Sequence, residues 1–255
     1  MIDALHIAAS GLRGEQKHID VISNNVANMQ TPGFKRSRVN FVEVAAPDAG
    51  SGVTMGSEAS VGNGIRIAST STQFSTGELR MTRGLYDVAI EGRGFFELET
   101  ADGALAYSRD GQFRVDADGE LVSVHGLKLS RSVRIPSDAI EVRIASNGEV
   151  SALLPGESAR SVLGEIELVV FPAEDALIAT GENLFTATEA AGAPVYGRPQ
   201  DPGIGALRQG FVEMANVDMV DEMTSLVLAQ RAYQLNARVL QAADQILETI
   251  NNLRR

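Results

Sequence analysis

The chain has 255 residues, of which 44% are hydrophobic and 22% charged, and its formal net charge is -11. This length and composition predict a folded protein with one large domain or two modest ones, while the acidic balance argues against nucleic acid as a partner. The chain has no cysteine, which excludes disulfides and thiolate metal sites.

The N-terminal segment has the apolar periodicity of a helix. Alternating three- and four-residue steps there meet an apolar residue every time except at Glu15, which predicts a helix over residues 3–28 with one seam. Gly11 and Gly14 lie inside it at a cost of about 1 kcal/mol each; they predict either a smooth patch for close approach of another helix or a local break. The seam residues are Met1, Leu5, Ala8, Leu12, Ile19, Ile22, Val26 and Met29.

A turn and a short basic cluster follow this helix. Thr31-Pro32-Gly33 should end the helix, because proline and glycine interrupt helical hydrogen bonding. We interpret the basic cluster after it as a solvated loop; the cluster consists of Lys35, Arg36 and Arg38.

The middle of the chain has a sequence pattern typical of β-strands and turns. Residues 45–63 are rich in Ala, Gly and Ser and predict an extended loop. Beyond them, short apolar or alternating runs predict strands; these runs are Val88–Ile90, Phe95–Leu98, Val142–Ile144 and Ile166–Val170. Four dipeptides predict tight hairpin turns: Asp102-Gly103, Asp110-Gly111, Asp118-Gly119 and Asn147-Gly148.

The C-terminal segment predicts a second, longer helix over residues 218–255, with Asn216 or Asp218 as its cap. It carries two heptad seams. One consists of Met219, Leu226, Tyr233, Leu240 and Leu247, and the other of Ala232, Val239, Ile246 and Leu253. A spacing of 3.5 residues is typical of coiled coils.

Burial energy connects these seams to assembly. Each large apolar side chain buried in a seam contributes about 1.5–3 kcal/mol. The N-terminal helix can cover one C-terminal seam, so the other needs a partner surface. A neighbouring copy of the chain is the natural source. The alternative is that both helices lie in an ordinary helical core.

No motif in the sequence predicts catalysis. The three histidines lack the spacing of metal ligands, and no zinc-hydrolase or serine-hydrolase motif occurs. Gly92-Arg93-Gly94 leads into a strand and not a helix, which favours a turn over a phosphate site. We therefore expect no enzymatic activity, no cofactor and no metal.

No apolar run exceeds four residues, so we expect neither a membrane span nor a Sec-type signal peptide.

The sequence as a whole predicts an α+β protein. Long N- and C-terminal α-helices, forming a coiled-coil-like pair, should flank a central antiparallel all-β region. We predict three parts: a terminal helical domain of residues 1–36 with 218–255, an extended or β connecting segment of 37–85 with 195–217, and a β-rich outer domain of 86–194.

Three stretches resemble the bacterial flagellar rod and hook proteins. The first, residues 20–36, reads DVISNNVANMQTPGFKR and is similar to the N-terminal signature of that family. Residues 87–96 (DVAIEGRGFF) with 107–111 (YSRDG) resemble the start of the family's β domain, and residues 216–218 (NVD) with 230–234 (QRAYQ) resemble its C-terminal helix. The framework of the signature is Asn25, Asn28, Thr31, Gly33 and Phe34.

The resemblance implies a structural subunit that self-assembles into the helical distal rod of the flagellar basal body, the drive shaft that transmits motor torque to the hook. It implies export through the flagellar type III apparatus into the periplasm, and contacts with proximal rod proteins, hook proteins and the rings around the rod. A proximal rod or hook-type subunit is the alternative within the family. A secreted β-rich enzyme acting on polysaccharide is the alternative of another class.

Overall fold

A computed structural model describes residues 2–44, 63–156 and 159–253, so the loop predicted at 45–63 lies outside the described residues except for its last position. The chain divides into two compact units. The first contains residues 1–27, 37–71 and 218–255, and the second contains 28–36 and 72–217.

The first unit is built on two long helices and a pair of strands. Helix α1 covers Ile2–Ala27 and helix α2 covers Met219–Leu253. The 35 residues of α2 make it about 52 Å long at 1.5 Å per residue. Strands β1 (Ser37–Glu43) and β2 (Ile65–Thr72) pair in a two-stranded sheet, of which only the last residue of β2 belongs to the second unit.

The predicted start of the second helix is confirmed in detail. Asp218 caps α2, because its Oδ1 accepts hydrogen bonds from the backbone N–H groups of Val220 at 2.8 Å and Asp221 at 3.1 Å. Asn216, the other candidate cap, makes its hydrogen bonds within the second unit.

The second unit consists of short strands and two 3-10 turns at Glu174–Ala176 and Glu189–Ala191. Its strands, in chain order, are β3 (Leu79–Met81), β4 (Val88–Glu91), β5 (Phe96–Glu99), β6 (Leu105–Ser108), β7 (Phe113–Val115), β8 (Leu121–Ser123), β9 (Lys128–Leu129), β10 (Glu141–Ile144), β11 (Glu149–Leu153), β12 (Ser161–Glu165), β13 (Leu168–Val170), β14 (Ile178–Gly181), β15 (Leu184–Thr186), β16 (Val195–Gly197), β17 (Ala206–Gln209) and β18 (Phe211–Glu213).

The largest sheet of this unit has seven strands in the order β14-β15-β6-β5-β9-β8-β7. A three-stranded sheet, β10-β11-β12, and three two-stranded pairs, β13-β16, β17-β4 and β18-β3, complete the unit. The pairings that define these sheets are antiparallel. Early and late strands of the chain are thus paired with each other.

Two hydrophobic clusters fill the second unit. The larger contains Phe96 and Leu168, and the smaller contains Phe95 and Val169. Neighbouring residues therefore serve different clusters, because successive side chains of a strand point to opposite faces. In the smaller cluster the rings of Phe74, Phe95 and Phe185 meet edge to face.

Three of the four predicted hairpin turns are confirmed, and one is wrong. Asp102-Gly103, Asp118-Gly119 and Asn147-Gly148 connect paired strands. Asp110-Gly111 does not, because β6 and β7 on either side of it are not neighbours in the sheet. Gly111 is instead required by close packing: a Cβ there would lie 1.7 Å from the carbonyl oxygen of Val88.

The predicted α+β class, with two terminal helices flanking antiparallel strands, is confirmed. Coiled-coil pairing of the helices is not confirmed and stays a prediction. The division into three functional parts also stays a prediction.

Candidate assembly interface

Helix α1 buries one face, which carries small residues in its first half and larger ones near its end. Its buried positions among the described side chains are Ala8, Gly11, Gly14, Val21, Ile22 and Asn25. Most of the large residues of the predicted seam lie at the margin of that face and are only partly buried: Leu5, Leu12, Ile19 and Val26. Met29, the last seam residue, lies beyond the helix end, partly buried in a turn of the second unit.

The two glycines of α1 mark close approaches within the first unit. A Cβ on Gly11 would meet the side-chain nitrogen of Asn236 on α2 at 2.7 Å. A Cβ on Gly14 would meet Ile65 of β2 at 2.8 Å and the ring of Phe41 of β1 at 3.2 Å. Close approach of another helix, as predicted from the sequence, therefore holds at Gly11, whereas Gly14 is approached by the strand pair, and α1 runs through both positions without a break.

A buried polar contact fixes the helix pair at its other end. Asn25 of α1 is 1% exposed and donates from Nδ2 to a carboxylate oxygen of Glu222 on α2 at 3.2 Å. The same amide exchanges two hydrogen bonds with the backbone of Ser37, at 2.9 Å and 3.0 Å. Asn25 and Gly11 are 14 residues apart on α1, as Glu222 and Asn236 are on α2, so the helices run antiparallel.

The first predicted seam of α2 lies on and beside the face that meets α1. Glu222 and Ala229 are buried there. Leu226 and Leu240 of this seam are partly buried. The other three seam residues are exposed: Leu247 at 36%, Tyr233 at 37% and Met219 at 47%. Sequence reasoning missed Glu222 and Asn236, the two polar residues of this face, since periodicity registers only apolar positions.

The outer side of α2 carries an apolar stripe without a cover among the described residues of the chain. Leu228 and Leu235 are each 61% exposed, and Val239 and Ile246 are each 50% exposed. These four positions follow steps of seven, four and seven residues, so they share one helix face; we call them the outer stripe. Two of its members, Val239 and Ile246, belong to the second predicted seam, whose Ala232 is partly buried and whose Leu253 side chain lies outside the description.

The rest of the signature forms a turn in the second unit. The backbone N–H of Thr31 donates to the carbonyl of Asn28 at 3.0 Å, and that of Phe34 donates to the carbonyl of Thr31 at 3.3 Å. Gly33 has a φ of +71°, and its N–H donates to the carbonyl oxygen of Glu213 at 2.8 Å. A Cβ on Gly33 would lie 2.5 Å from the backbone nitrogen of Asp110, so only glycine fits.

A buried ionic cluster lies beside this turn. The Lys35 ammonium is 2.6 Å from one carboxylate oxygen of Glu213, and a guanidinium nitrogen of Arg109 is 3.4 Å from the other. These three side chains are at most 1% exposed. The solvated-loop interpretation is therefore wrong for Lys35, whose partner lies 178 residues further along the chain.

The electrostatics of the cluster are dominated by burial. Burial lowers the pKa of Lys35 below its usual 10.5, and the charge of Glu213 opposes this shift. Burial also lowers the pKa of Arg109, again opposed mainly by Glu213. One carboxylate thus holds two cations inside the unit, in an arrangement that no local sequence pattern indicates.

Neither helix offers an obvious membrane-spanning or metal-binding feature. Over the ranges that the structure describes, no helix combines the length and apolar character needed to cross a bilayer. Within the same ranges, no three histidine, aspartate or glutamate side chains come together as a metal site would require.

Three family models match consecutive parts of the chain. "Flagella basal body rod protein" matches residues 5–35, "Flagellar hook protein FlgE/F/G D1 domain" matches 89–152, and "Flagellar basal body rod FlgEFG protein C-terminal" matches 208–253. The first and third matches cover most of the two helices.

Relatives match over the whole length. The flagellar basal-body rod protein FlgG of Buchnera aphidicola is 36% identical over 99% of this chain and 100% of its own. FlgG of Agrobacterium fabrum is 37% identical over 97% and 98% of the two chains, and FlgG of Borreliella burgdorferi is 38% identical over 100% of both. The chain belongs to the flagellar basal-body rod protein family.

Membership in the rod protein family confirms the resemblance of the three sequence stretches. It also confirms the predicted class of function, a structural rod subunit of the flagellum, and its location in the flagellar basal body. The prediction that the chain is not an enzyme is confirmed on the same ground, since these relatives are structural rod proteins.

Proposed function

We propose that this rod protein self-assembles into the helical distal rod, the drive shaft that carries motor torque to the hook. In this proposal the chain leaves the cytoplasm through the flagellar type III export apparatus and polymerises in the periplasm. Its neighbours there are further copies of itself, proximal rod proteins, hook proteins and the rings around the rod. The FlgG relatives support a rod position, because they match this chain from end to end.

The outer stripe of α2 is the observation that carries the self-assembly proposal. It exposes four large aliphatic side chains along one face of the helix. Each is already partly covered, so covering the exposed remainder would contribute about half of the 1.5–3 kcal/mol of a fully buried side chain, about 0.8–1.8 kcal/mol; contiguous exposed apolar surfaces of this kind mark interaction sites. Met223, Val227 and Val220 expose further apolar surface near the start of the helix, at 44%, 48% and 73%.

The second copy is the natural cover for this stripe. A contact that joins one surface of a copy to a different surface of the next generates a helical filament when its rotation does not close into a ring. The partly buried side chains at the margin of α1, including Leu5, Leu12 and Ile19, offer such a different surface. We propose that both helices form the inner tube, with residues 37–85 and 195–217 as a connecting part and 86–194 as an outer domain.

The test uses Leu228→Asp and Leu235→Asp in the full chain. Each of these leucines is 61% exposed, so the substitution leaves the helix pair of the isolated chain intact while it places a charge in the proposed contact. Gln230→Asp is the matched control, because it adds the same charge at an exposed polar position of the same helix. We expect the leucine variants to remain monomeric in sedimentation and to form no rods in cells, while the control assembles.

Circular dichroism of each variant separates a folding failure from an assembly failure. Normal filaments from both leucine variants would refute the outer stripe as an interface. The distal position is tested separately by imaging basal bodies from a strain that lacks the chain. We expect them to keep the proximal rod and to lack the distal rod and the hook; basal bodies with a complete rod would contradict the proposal.

A further inference from the structure

The buried cluster in the second unit is close in sequence to three of the four points where the chain passes between the two units. The chain passes from one unit to the other after residues 27, 36, 71 and 217. Lys35 lies next to the second of these exits and Glu213 shortly before the fourth. The Lys35 ammonium also donates to the carbonyl oxygen of Ser75, near the third exit, at 2.8 Å.

Asn216 joins the same three exits through a second set of hydrogen bonds. Its Oδ1 accepts from the backbone N–H of Arg36 at 2.7 Å, and its Nδ2 donates to the carbonyl oxygen of Gln73 at 2.8 Å. The N–H of Gln73 in turn donates to the carbonyl oxygen of Arg36 at 2.8 Å. The chain segments beside the exits are thus bonded directly to one another inside the second unit.

Glu213 is the centre of this arrangement. Its Oε1 accepts from Lys35 and from the backbone N–H of Gly77 at 2.8 Å, and its Oε2 accepts from Arg109. Arg109 also donates to the carbonyl oxygen of Gly92 at 2.8 Å, which ties the centre to the loop between β4 and β5. We call Lys35, Arg109, Glu213 and Asn216 the exit anchor.

The choice of charged groups in this anchor has a physical consequence. A buried ion pair adds little net stability compared with apolar residues of similar size, but removal of one partner is strongly destabilising. Charge-assisted hydrogen bonds are also short and directional. An anchor built in this way fixes the positions of the joined segments more strictly than apolar packing, which tolerates sliding.

We propose that the exit anchor transmits load between the strands of the second unit and the chain segments that lead to both helices. The inference rests on the proposed drive-shaft function and extends it. Under torque, force enters or leaves the second unit through its exits, and bonding these exits to one another spreads that force over several strands. In this view the Gly-Phe-Lys part of the signature, residues 33–35, serves an intrachain anchor and not a contact between copies.

The first test measures hydrogen exchange in the full chain. Lys35→Met removes the ammonium that binds Glu213 and Ser75. We expect exchange at the amides of Gly33, Arg36 and Gln73 to rise by about a hundredfold, while amides of β10, β11 and β12 stay unchanged. Lys128→Met is the control, because Lys128 is also 2.6 Å from a carboxylate but is 50% exposed.

Two further variants keep the test informative if Lys35→Met does not fold. Glu213→Gln keeps the size and one acceptor oxygen but leaves two buried cations without a counter-charge, so we expect at least the roughly hundredfold faster exchange of Lys35→Met at the same amides. Lys35→Arg restores a cation and should recover part of the protection. Unchanged exchange at these amides in Glu213→Gln would overturn the anchor.

The second test measures rotation of tethered cells at increasing viscosity, in a strain whose own copy is replaced by the variant. We expect Glu213→Gln to build rods and rotate normally at low load, and to lose rotation at high load. A merely structural role would reduce the number of rods equally at every load. Normal rotation of Glu213→Gln at the highest load would overturn the proposal without affecting the drive-shaft function. Absence of rods with the unaltered chain would instead refute that function and leave the exchange result standing.

Discussion

Gly33→Ala tests why the signature contains a glycine. With a φ of +71°, alanine at this position adds about 1–2 kcal/mol of backbone strain. The new Cβ would also lie 2.5 Å from the backbone nitrogen of Asp110 and 2.7 Å from its Cα. Relief of this overlap needs a backbone shift costing about 1–3 kcal/mol and weakens the bond from Gly33 to Glu213, worth about 1 kcal/mol. We therefore expect a total loss of about 3–6 kcal/mol.

Gly103→Ala provides a matched control for this prediction. Gly103 has nearly the same φ, +75°, but a Cβ there meets nothing within 4 Å, so only the strain of about 1–2 kcal/mol applies. Urea unfolding of the full-length variants, followed by the near-ultraviolet circular dichroism of the tyrosines, measures both losses. Equal losses in the two variants would refute the close approach of Asp110 as the reason for glycine at position 33.

Two further predictions concern buried carboxyl groups. Burial raises the pKa of the Asp110 carboxyl group above 3.8. The folded state therefore binds the carboxyl proton more tightly than the unfolded state, and stability falls as the pH rises above that value. Asp110→Asn keeps the acceptor for the Gln112 N–H at 3.0 Å, and we expect it to raise the urea midpoint at pH 7 and to flatten the decline of that midpoint from about pH 4. Asn25→Asp replaces the amide that donates to Glu222 and Ser37 with a carboxyl group. We expect the free energy of unfolding to fall by about 2–4 kcal/mol at pH 7 and by less near pH 4.5. A loss that does not depend on pH would contradict repulsion by Glu222.

The helices were the most predictable part of the fold, because their signals are local. Apolar periodicity lies within each helix, and the cap at Asp218 and the Pro32-Gly33 stop lie within a few residues of the helix ends that they define. The observed ends of α1 and α2 agree with the predicted ranges to within two residues. Three turns were predictable for the same reason.

The buried charges could not be predicted, because their partners are far apart in sequence. Lys35 and Glu213 are 178 residues apart, and Asn25 and Glu222 are 197 apart. Next to Arg36 and Arg38, Lys35 has the appearance of a solvated cluster until the strand that carries Glu213 is in place. The strand order was hidden in the same way, since β17 pairs with β4 and β18 pairs with β3.

The distribution of large and small side chains on the helices favours assembly over stability of the isolated chain. A monomer under selection for stability alone would bury its leucines between the helices, since each contributes about 1.5–3 kcal/mol. Here Gly11 and Asn25 of α1 meet Asn236 and Glu222 of α2, while the outer stripe stays exposed. Polar contacts specify register, since a wrong alignment leaves them unpaired, whereas apolar contacts supply free energy with little directionality. We propose that these polar contacts set the register of the helix pair beside buried apolar residues such as Ile22 and Ala229, and that the exposed outer stripe serves association with the next copy.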